Sequence, residues 1–230
     1  MLLVDGFVER VWPPVCPACG MAHAGRPGLC AGCCAELPAA QSGCRRCAMV
    51  LPREVETCGA CQRRPPPFDA AHAAWRYAFP VDGLIQRFKF RGDRVAGRAL
   101  ATAMAGRLAS LGAPRPDLIV PVPLHWRRRL ARGFNQSAWL ARDLSAALGR
   151  LPWAPALERR RATSTQSSLP AGRRSGNVRG AFEVRGLPPG TRHVALVDDV
   201  MTTGATLAEC ARCLKRAGVT RVEAWVAARA

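Results

Sequence analysis

Two adjacent carboxylates followed by a Thr/Gly turn are the residues of this chain best suited to chemistry. Asp198 and Asp199 follow the apolar residues 194–197, and the turn after them contains Thr202, Thr203, Gly204 and Thr206. Carboxylates accept hydrogen bonds from vicinal hydroxyls, whereas threonine hydroxyls and the backbone N–H groups that begin a helix bind phosphate. The pattern therefore predicts a site for a ribose 5-phosphate.

The elements around this site follow from hydrophobic periodicity. Residues 194–197 are apolar without alternation, which is typical of a strand buried on both faces of a parallel sheet. Ligands bind at the carboxyl ends of such strands, where we expect Asp198 and Asp199 to be surface carboxylates. A helix ending near Gly218 comes next, and its apolar stripe consists of Leu207, Cys210, Ala211 and Leu214. A strand over residues 222–227 follows the helix.

A second strand-loop-helix unit precedes this one. Residues 117–135 form a short apolar strand, a loop with prolines and a basic segment, before a helix that Asn135 or Ser137 could cap. This unit would present a second phosphate-binding loop at the same edge of the sheet. We expect Arg132 and Lys89 to bind a pyrophosphate group there.

The first quarter of the chain contains four C-x-x-C pairs, each separated from the next by ten residues. Two such pairs complete a tetrahedral, closed, structural Zn²⁺ site. Disulfides are the alternative, but the amino-terminal residues lack the pattern of a signal peptide. Spacing does not decide between one and two ions, or between successive and alternate pairs. The expected ligands are Cys16, Cys19, Cys30, Cys33, Cys44, Cys47, Cys58 and Cys61, with Cys34 as a substitute ligand or a free thiol.

Length and charge predict two units. We expect a double zinc ribbon in residues 1–64 and an α/β domain in residues 65–230, joined at a Pro-rich stretch. Of the net charge of +18, the second unit holds +16. Such a field attracts a small polyanion and a nucleic-acid backbone equally well. No apolar run approaches the ~20 residues of a membrane helix, so we expect a cytoplasmic protein without a membrane span.

Taken together, these motifs resemble a known family. VDDVMTTGAT is similar to the signature of the type I phosphoribosyltransferases, in which two acidic residues hold the ribose hydroxyls and the loop holds the 5-phosphate of phosphoribosyl pyrophosphate. The C-x-x-C pairs, PPPFD, FKFRGD, PVPLHWRRRLARGFNQS and RATSTQSSLPAGRRSGNVRGAF extend the resemblance over nearly the whole chain, to the ComF family and its GntX-type members.

The resemblance implies a fold and a set of site residues. The fold is a type I phosphoribosyltransferase-like parallel sheet flanked by helices, of the α/β class, with a small amino-terminal zinc-ribbon module. Asp198, Asp199 and Arg132 would be the catalytic residues, and residues 159–181 would form a lid. The residues expected to bind phosphoribosyl pyrophosphate are Val197, Asp198, Asp199, Met201, Thr202, Thr203, Gly204, Ala205, Thr206 and Lys89.

The resemblance also implies a function. Phosphoribosyl pyrophosphate would bind together with Mg²⁺, and the protein would serve DNA uptake during competence, with other competence proteins as partners, or nucleotide-related metabolism. Catalysis would displace pyrophosphate from C1 of the ribose by a nitrogen nucleophile. The alternative is a non-catalytic protein that binds single-stranded DNA and uses the pocket as a ligand sensor.

Overall fold

The computed structural model describes residues 13–24, 27–40, 43–124, 130, 132–160 and 180–230. In chain order its elements are α1 (Ala31–Ala35), α2 (Gly59–Arg63), β1 (Ala70–Arg76), α3 (Val81–Arg91), α4 (Arg94–Ser110), β2 (Leu118–Pro121), α5 (Gln136–Ala147), β3 (Leu157–Arg159), β4 (Phe182–Val184), β5 (His193–Met201), α6 (Ala205–Arg216) and β6 (Arg221–Arg229).

Four parallel strands form the central sheet in the order β1-β6-β5-β2. Alternate residues of β5 point to opposite faces, and residues 194–197 are fully buried. Val194 and Leu196 lie in a core with α6, while Ala195 and Val197 lie in a second core with α3, α4 and α5. The predicted parallel sheet flanked by helices is therefore confirmed, with apolar layers on both faces.

Helix boundaries follow the expected capping chemistry. The Asn135 side chain accepts a hydrogen bond from the backbone N–H of Ser137 at 3.0 Å, so Asn135 is the N-cap of α5. The predicted stripe of α6 is buried, and Gly218 has φ +94° just beyond its C-cap, Ala217. Cys210 and Cys213 are both on α6, where Cys210 is buried in the core and Cys213 packs against it, as small apolar residues do.

The cysteine-rich segment packs directly against the sheet. Ala39 pairs antiparallel with Trp75 of the edge strand β1, and Leu37 is buried in the core beneath α3 and α4. Arg107 of α4 donates a hydrogen bond to the carbonyl oxygen of Ala40 at 3.1 Å. The edge of β1 is therefore covered by the same chain. The boundary between residues 64 and 65 stays a prediction.

A buried carboxylate, Glu223, lies near the amino end of β6. Its side chain accepts hydrogen bonds from Arg221 Nε at 2.9 Å and Trp225 Nε1 at 3.2 Å, and His72 Nε2 lies at 3.2 Å. Burial raises the pKa of Glu223, but these three partners outweigh it and lower the pKa to about 2. Glu223 is thus held ionised at the end of the sheet opposite to Asp198.

Candidate functional site

The two predicted carboxylates lie within β5 rather than after it. Asp198 pairs with Val226 of β6, and the strand continues to Met201. Asp199 is only 4% exposed and Asp198 is half-buried. The expectation that both are surface carboxylates is wrong, because helices α3 and α5 pack over this end of the strand and cover them.

Each carboxylate is held by a residue from a different helix. The hydroxyl of Ser137, in the first turn of α5, donates to Asp198 Oδ1 at 2.8 Å. The same oxygen accepts the backbone N–H of Asp199 at 2.9 Å. Lys89, in the last turn of α3, donates to Asp199 Oδ1 at 3.0 Å. The carboxylates are therefore fixed in orientation before any ligand binds.

Burial and mutual repulsion change the acidity of the pair. Burial raises the pKa of Asp198, the adjacent charge of Asp199 raises it further, and Lys89 and Ser137 only partly oppose the shift, so the pKa is about 7. Asp199 Oδ2 is buried and has no hydrogen-bond partner among the described residues. The pair thus offers an acceptor oxygen that a ligand hydroxyl could satisfy.

The turn after β5 brings a helix N-terminus beside these carboxylates. Gly204 has φ +73° and is the N-cap of α6 without a side-chain cap. A Cβ built at Gly204 would lie 3.4 Å from Met201 Sδ, so the turn packs closely on Met201. Thr202 and Thr203 are exposed at its tip. The hydroxyl oxygen of Thr203 accepts the backbone N–H of Ala205 at 3.4 Å. The turn thus presents the start of a helix, with the positive end of its dipole, to an anion.

A cavity of about 490 Å³ joins the carboxylates to this turn. Arg132 lies at its rim, donating to Gln136 Oε1 at 3.3 Å, with its guanidinium 5.1 Å from the ring centre of the exposed Phe90. The predicted residues among its lining are Lys89, Arg132, Asp198, Asp199, Met201, Thr202, Gly204, Ala205 and Thr206. The structure therefore brings nearly the whole predicted set together around one space.

Some predicted residues lie elsewhere or outside the described residues. Val197 is fully buried beneath the cavity, and Thr203 is exposed on the turn but does not line the cavity. Most of the expected lid, residues 161–179, and much of the basic segment, residues 125–129 and 131, lie outside the described residues.

Sequence reasoning missed the roles of Ser137 and Phe90 in the cavity. Ser137 was considered only as a helix cap, and Phe90 was not considered for the site. Ser137 lies two positions after the RGFN segment, and Phe90 follows Lys89, so proximity to predicted site residues was the available signal. Arg159, the first residue of the expected lid, also lines the cavity.

The eight predicted cysteine ligands form two tetrads from successive pairs. One consists of Cys16, Cys19, Cys30 and Cys33, the other of Cys44, Cys47, Cys58 and Cys61, and within each the sulfur atoms lie within 4.8 Å of one another.

Backbone N–H groups point at sulfur in both tetrads. Cys30 N–H lies 3.4 Å from Cys16 Sγ, and Cys58 N–H lies 3.2 Å from Cys44 Sγ. Two sets of four sulfurs with such donors fit two structural zinc ribbons. The unpaired Cys34 is exposed outside both tetrads.

Comparison with known proteins agrees with this geometry. A family model described as a double zinc ribbon domain matches residues 7–62. The DNA utilization protein YhgH of Escherichia coli (strain K12) is 37% identical over 219 residues, which cover 93% of this chain and 96% of that protein. Competence protein F of Haemophilus influenzae is 35% identical, covering 92% of this chain and 94% of that protein.

A solved structure also matches part of the chain. Glutamine phosphoribosylpyrophosphate amidotransferase from Bacillus subtilis is 21% identical with a TM-score of 0.41, covering 61% of this chain and 30% of that one.

None of the helices that the structure describes has the length and apolar character needed to cross a membrane.

Proposed function

This chain belongs to the ComF family, the family of the DNA utilization protein YhgH and competence protein F, and we propose that it binds phosphoribosyl pyrophosphate beside Asp198 and Asp199. The observation that carries the proposal is the placement of an acidic pair and a helix N-terminus around one cavity of about 490 Å³. A space of this size suits a ligand such as a sugar phosphate.

Each end of the ligand has chemically matched partners. The carboxylates of Asp198 and Asp199 would accept hydrogen bonds from the ribose 2- and 3-hydroxyls, and the otherwise unpartnered Asp199 Oδ2 would gain one. The turn at residues 202–206 would hold the 5-phosphate. Lys89 and Arg132 would bind the pyrophosphate, for which Lys89 must leave Asp199.

Mg²⁺ would enter with the diphosphate. Among the described residues that line the cavity, the carboxylates are Asp198 and Asp199. Mg²⁺ commonly keeps waters and takes substrate phosphates as ligands. Bound in that way, it would neutralise the charge of the pyrophosphate leaving group.

A transferase reaction would use this site as follows. A nitrogen nucleophile would displace pyrophosphate from C1 of the ribose, through a transition state with oxocarbenium character. The chain's own contribution would be positioning and charge stabilisation: Asp198 and Asp199 fix the ribose, and Lys89 and Arg132 stabilise the departing diphosphate. We propose this activity for a cytoplasmic protein serving DNA uptake or nucleotide-related metabolism.

Single-stranded DNA is a second candidate ligand, favoured by an exposed aromatic side chain. Phe90 is 69% exposed at the rim of the cavity, with the Arg132 guanidinium beside its ring. Stacking of a base on such a ring within a positive field is the usual mode of single-strand binding. The net charge of +18 supports it, and the cavity would then act as a ligand sensor for a protein that works with other competence proteins.

The test is calorimetric titration of phosphoribosyl pyrophosphate into the purified protein with and without Mg²⁺, followed by a pyrophosphate-release assay with a panel of bases and amines. Binding that Lys89→Met weakens, together with release of pyrophosphate, would support a transferase. Binding without release would favour the sensor, and fluorescence titration with a labelled oligonucleotide would then compare wild type with Phe90→Ala. Absence of binding to phosphoribosyl pyrophosphate would refute the proposal.

A further inference from the structure

A buried arginine connects the second cysteine tetrad to the turn that begins α6. Arg229 lies opposite Met201 in the β5–β6 register and is 8% exposed. Its Nη1 donates to the Met201 carbonyl oxygen at 3.0 Å, and its Nε donates to the carbonyl oxygen of Cys47 at 3.4 Å. Nη2 lies 3.9 Å from Met49 Sδ. One guanidinium thus contacts both the tetrad and the end of β5.

Met201 carries this contact to the turn. Its carbonyl oxygen also accepts the N–H of Ala230 at 3.0 Å, and its side chain is 2% exposed. Its sulfur would lie 3.4 Å from a Cβ built at Gly204, the left-handed residue of the turn. Because protein interiors are close-packed, a shift of Met201 must displace this turn.

We propose that Arg229 is a positioning residue that couples zinc in the second tetrad to the conformation of residues 202–206, and thereby to the affinity of that turn for a phosphate. The effect on phosphate affinity rests on the proposed function, whereas the effect on the conformation of residues 202–206 rests on the contacts alone. Zinc in the second tetrad would then be required for a well-formed anion site, in addition to stabilising the ribbon.

Metal in the second tetrad would act on Arg229 through the backbone of the ribbon. Coordination would fix the loop that carries the Cys47 carbonyl, since a tetrahedral site holds all four sulfurs. Arg229 Nε donates to that carbonyl oxygen, so the position of the guanidinium would follow the loop. Without metal this constraint is lost.

The first tetrad has a different connection to the sheet. Arg87 of α3 donates to the carbonyl oxygen of Pro17, between Cys16 and Cys19, and its side chain also pairs with Asp93. This contact leads to α3, not to Met201. The two tetrads should therefore differ in their effect on residues 202–206.

Matched cysteine variants test this difference. Cys58 and Cys30 are equivalent: each precedes a short helix and donates its N–H to the first sulfur of its tetrad. For Cys58→Ser and Cys30→Ser in the full chain we would measure zinc per chain, hydrogen exchange over residues 202–206, and calorimetric affinity for ribose 5-phosphate. We expect each variant to lose one zinc. Only Cys58→Ser should raise exchange and lower affinity, by about tenfold, within the usual range for coupled sites.

Arg229→Lys separates coupling from simple stabilisation. Lysine keeps the charge, but a single ammonium cannot span the Met201 and Cys47 carbonyls. We expect this variant to retain both zinc ions and to show the same increase in exchange as Cys58→Ser. The double variant should show no further increase, because both changes break one connection. Arg107→Lys, which alters a ribbon contact on α4, is the control and should leave residues 202–206 unchanged.

The outcomes are distinguishable. Unchanged exchange over residues 202–206 in Arg229→Lys with both zinc ions bound, or equal effects of Cys30→Ser and Cys58→Ser, would overturn the coupling. Additive effects in the double variant would also overturn it. If wild type binds neither ribose 5-phosphate nor phosphoribosyl pyrophosphate, the proposed function fails, and the exchange measurements still decide the coupling. If Cys58→Ser does not fold, Arg229→Lys against Arg107→Lys decides it.

Discussion

Replacing Asp198 by Asn should make the protein more stable at alkaline pH. The pKa of this carboxyl in the folded protein is about 7, against an ordinary value of 3.8, because it is buried next to Asp199. Between those two values the folded state binds a proton that the unfolded chain has released, so stability is highest below the unfolded pKa and falls as pH rises through 7. Asparagine resembles the protonated carboxyl and does not titrate.

The size of the effect follows from the pKa. Between the unfolded and the folded pKa, the unfolding free energy falls by about 1.4 kcal/mol per pH unit. Of the range from pH 5 to pH 8, about two units lie below the folded pKa of about 7 and contribute to this change. The stability of Asp198→Asn relative to wild type should therefore increase by about 3 kcal/mol between pH 5 and pH 8.

Urea unfolding of both proteins at pH 5, 6, 7 and 8 measures this difference. Loss of zinc from thiolates at low pH affects both proteins equally and cancels in the comparison. Asp199→Asn provides a second check, because removing the neighbouring charge should lower the pKa of Asp198 and flatten the dependence. A difference between wild type and Asp198→Asn that stays constant within about 0.5 kcal/mol across this range would refute the reasoning.

Three further predictions concern other parts of the molecule. Glu223→Gln removes a buried carboxylate with a pKa of about 2. The stability that this carboxylate contributes is present above its unfolded pKa and is lost as pH falls toward 2. Urea unfolding should therefore show the variant to be about 3 kcal/mol less stable than wild type at pH 7, with a smaller deficit at pH 3. Gly204→Ala places a Cβ at φ +73°, 3.4 Å from Met201 Sδ. It should lower the unfolding free energy by about 1–2 kcal/mol and weaken binding of ribose 5-phosphate. An unchanged unfolding free energy would show that the turn tolerates the side chain, against this prediction. Cys34→Ser should keep the zinc content of wild type by metal analysis and Cys16→Ser should lose one ion, whereas equal losses would make Cys34 a ligand.

The sequence allowed local features to be predicted because they depend on neighbouring residues. The helix that ends near Gly218 and the Asn135 cap each follow from a pattern within a few positions, and both are confirmed. The buried strand over residues 194–197 is also confirmed, but it continues past Asp198 to Met201. The zinc ligands were predicted by spacing. Spacing could not decide which pairs share an ion, because that depends on how the chain folds back between Cys19 and Cys30.

Contacts between distant residues could not be predicted in this way. Lys89 and Asp199 are separated by 110 positions, and Ser137 and Asp198 by 61. The burial of the acidic pair results from helices packed over the end of β5, which no pattern inside residues 193–206 reveals. Arg229 was missed for the same reason, since its partners lie 182 and 28 positions away.

The burial of the acidic pair would explain how carboxylates can lie beside the proposed site for a polyanion. Two full negative charges about 4 Å from a phosphate would each cost about 4 kcal/mol at an effective dielectric constant of 20. The structure reduces this repulsion twice: Lys89 pairs with Asp199, and the pKa of about 7 leaves Asp198 partly protonated at neutral pH. In the proposed complex the diphosphate would draw Lys89 away from Asp199, and the Asp199 oxygens would then be stronger acceptors for the ribose hydroxyls. The same movement of one ammonium group would therefore strengthen contacts at both ends of the ligand. The ribose hydroxyls need an anionic acceptor, and the diphosphate needs a cationic donor.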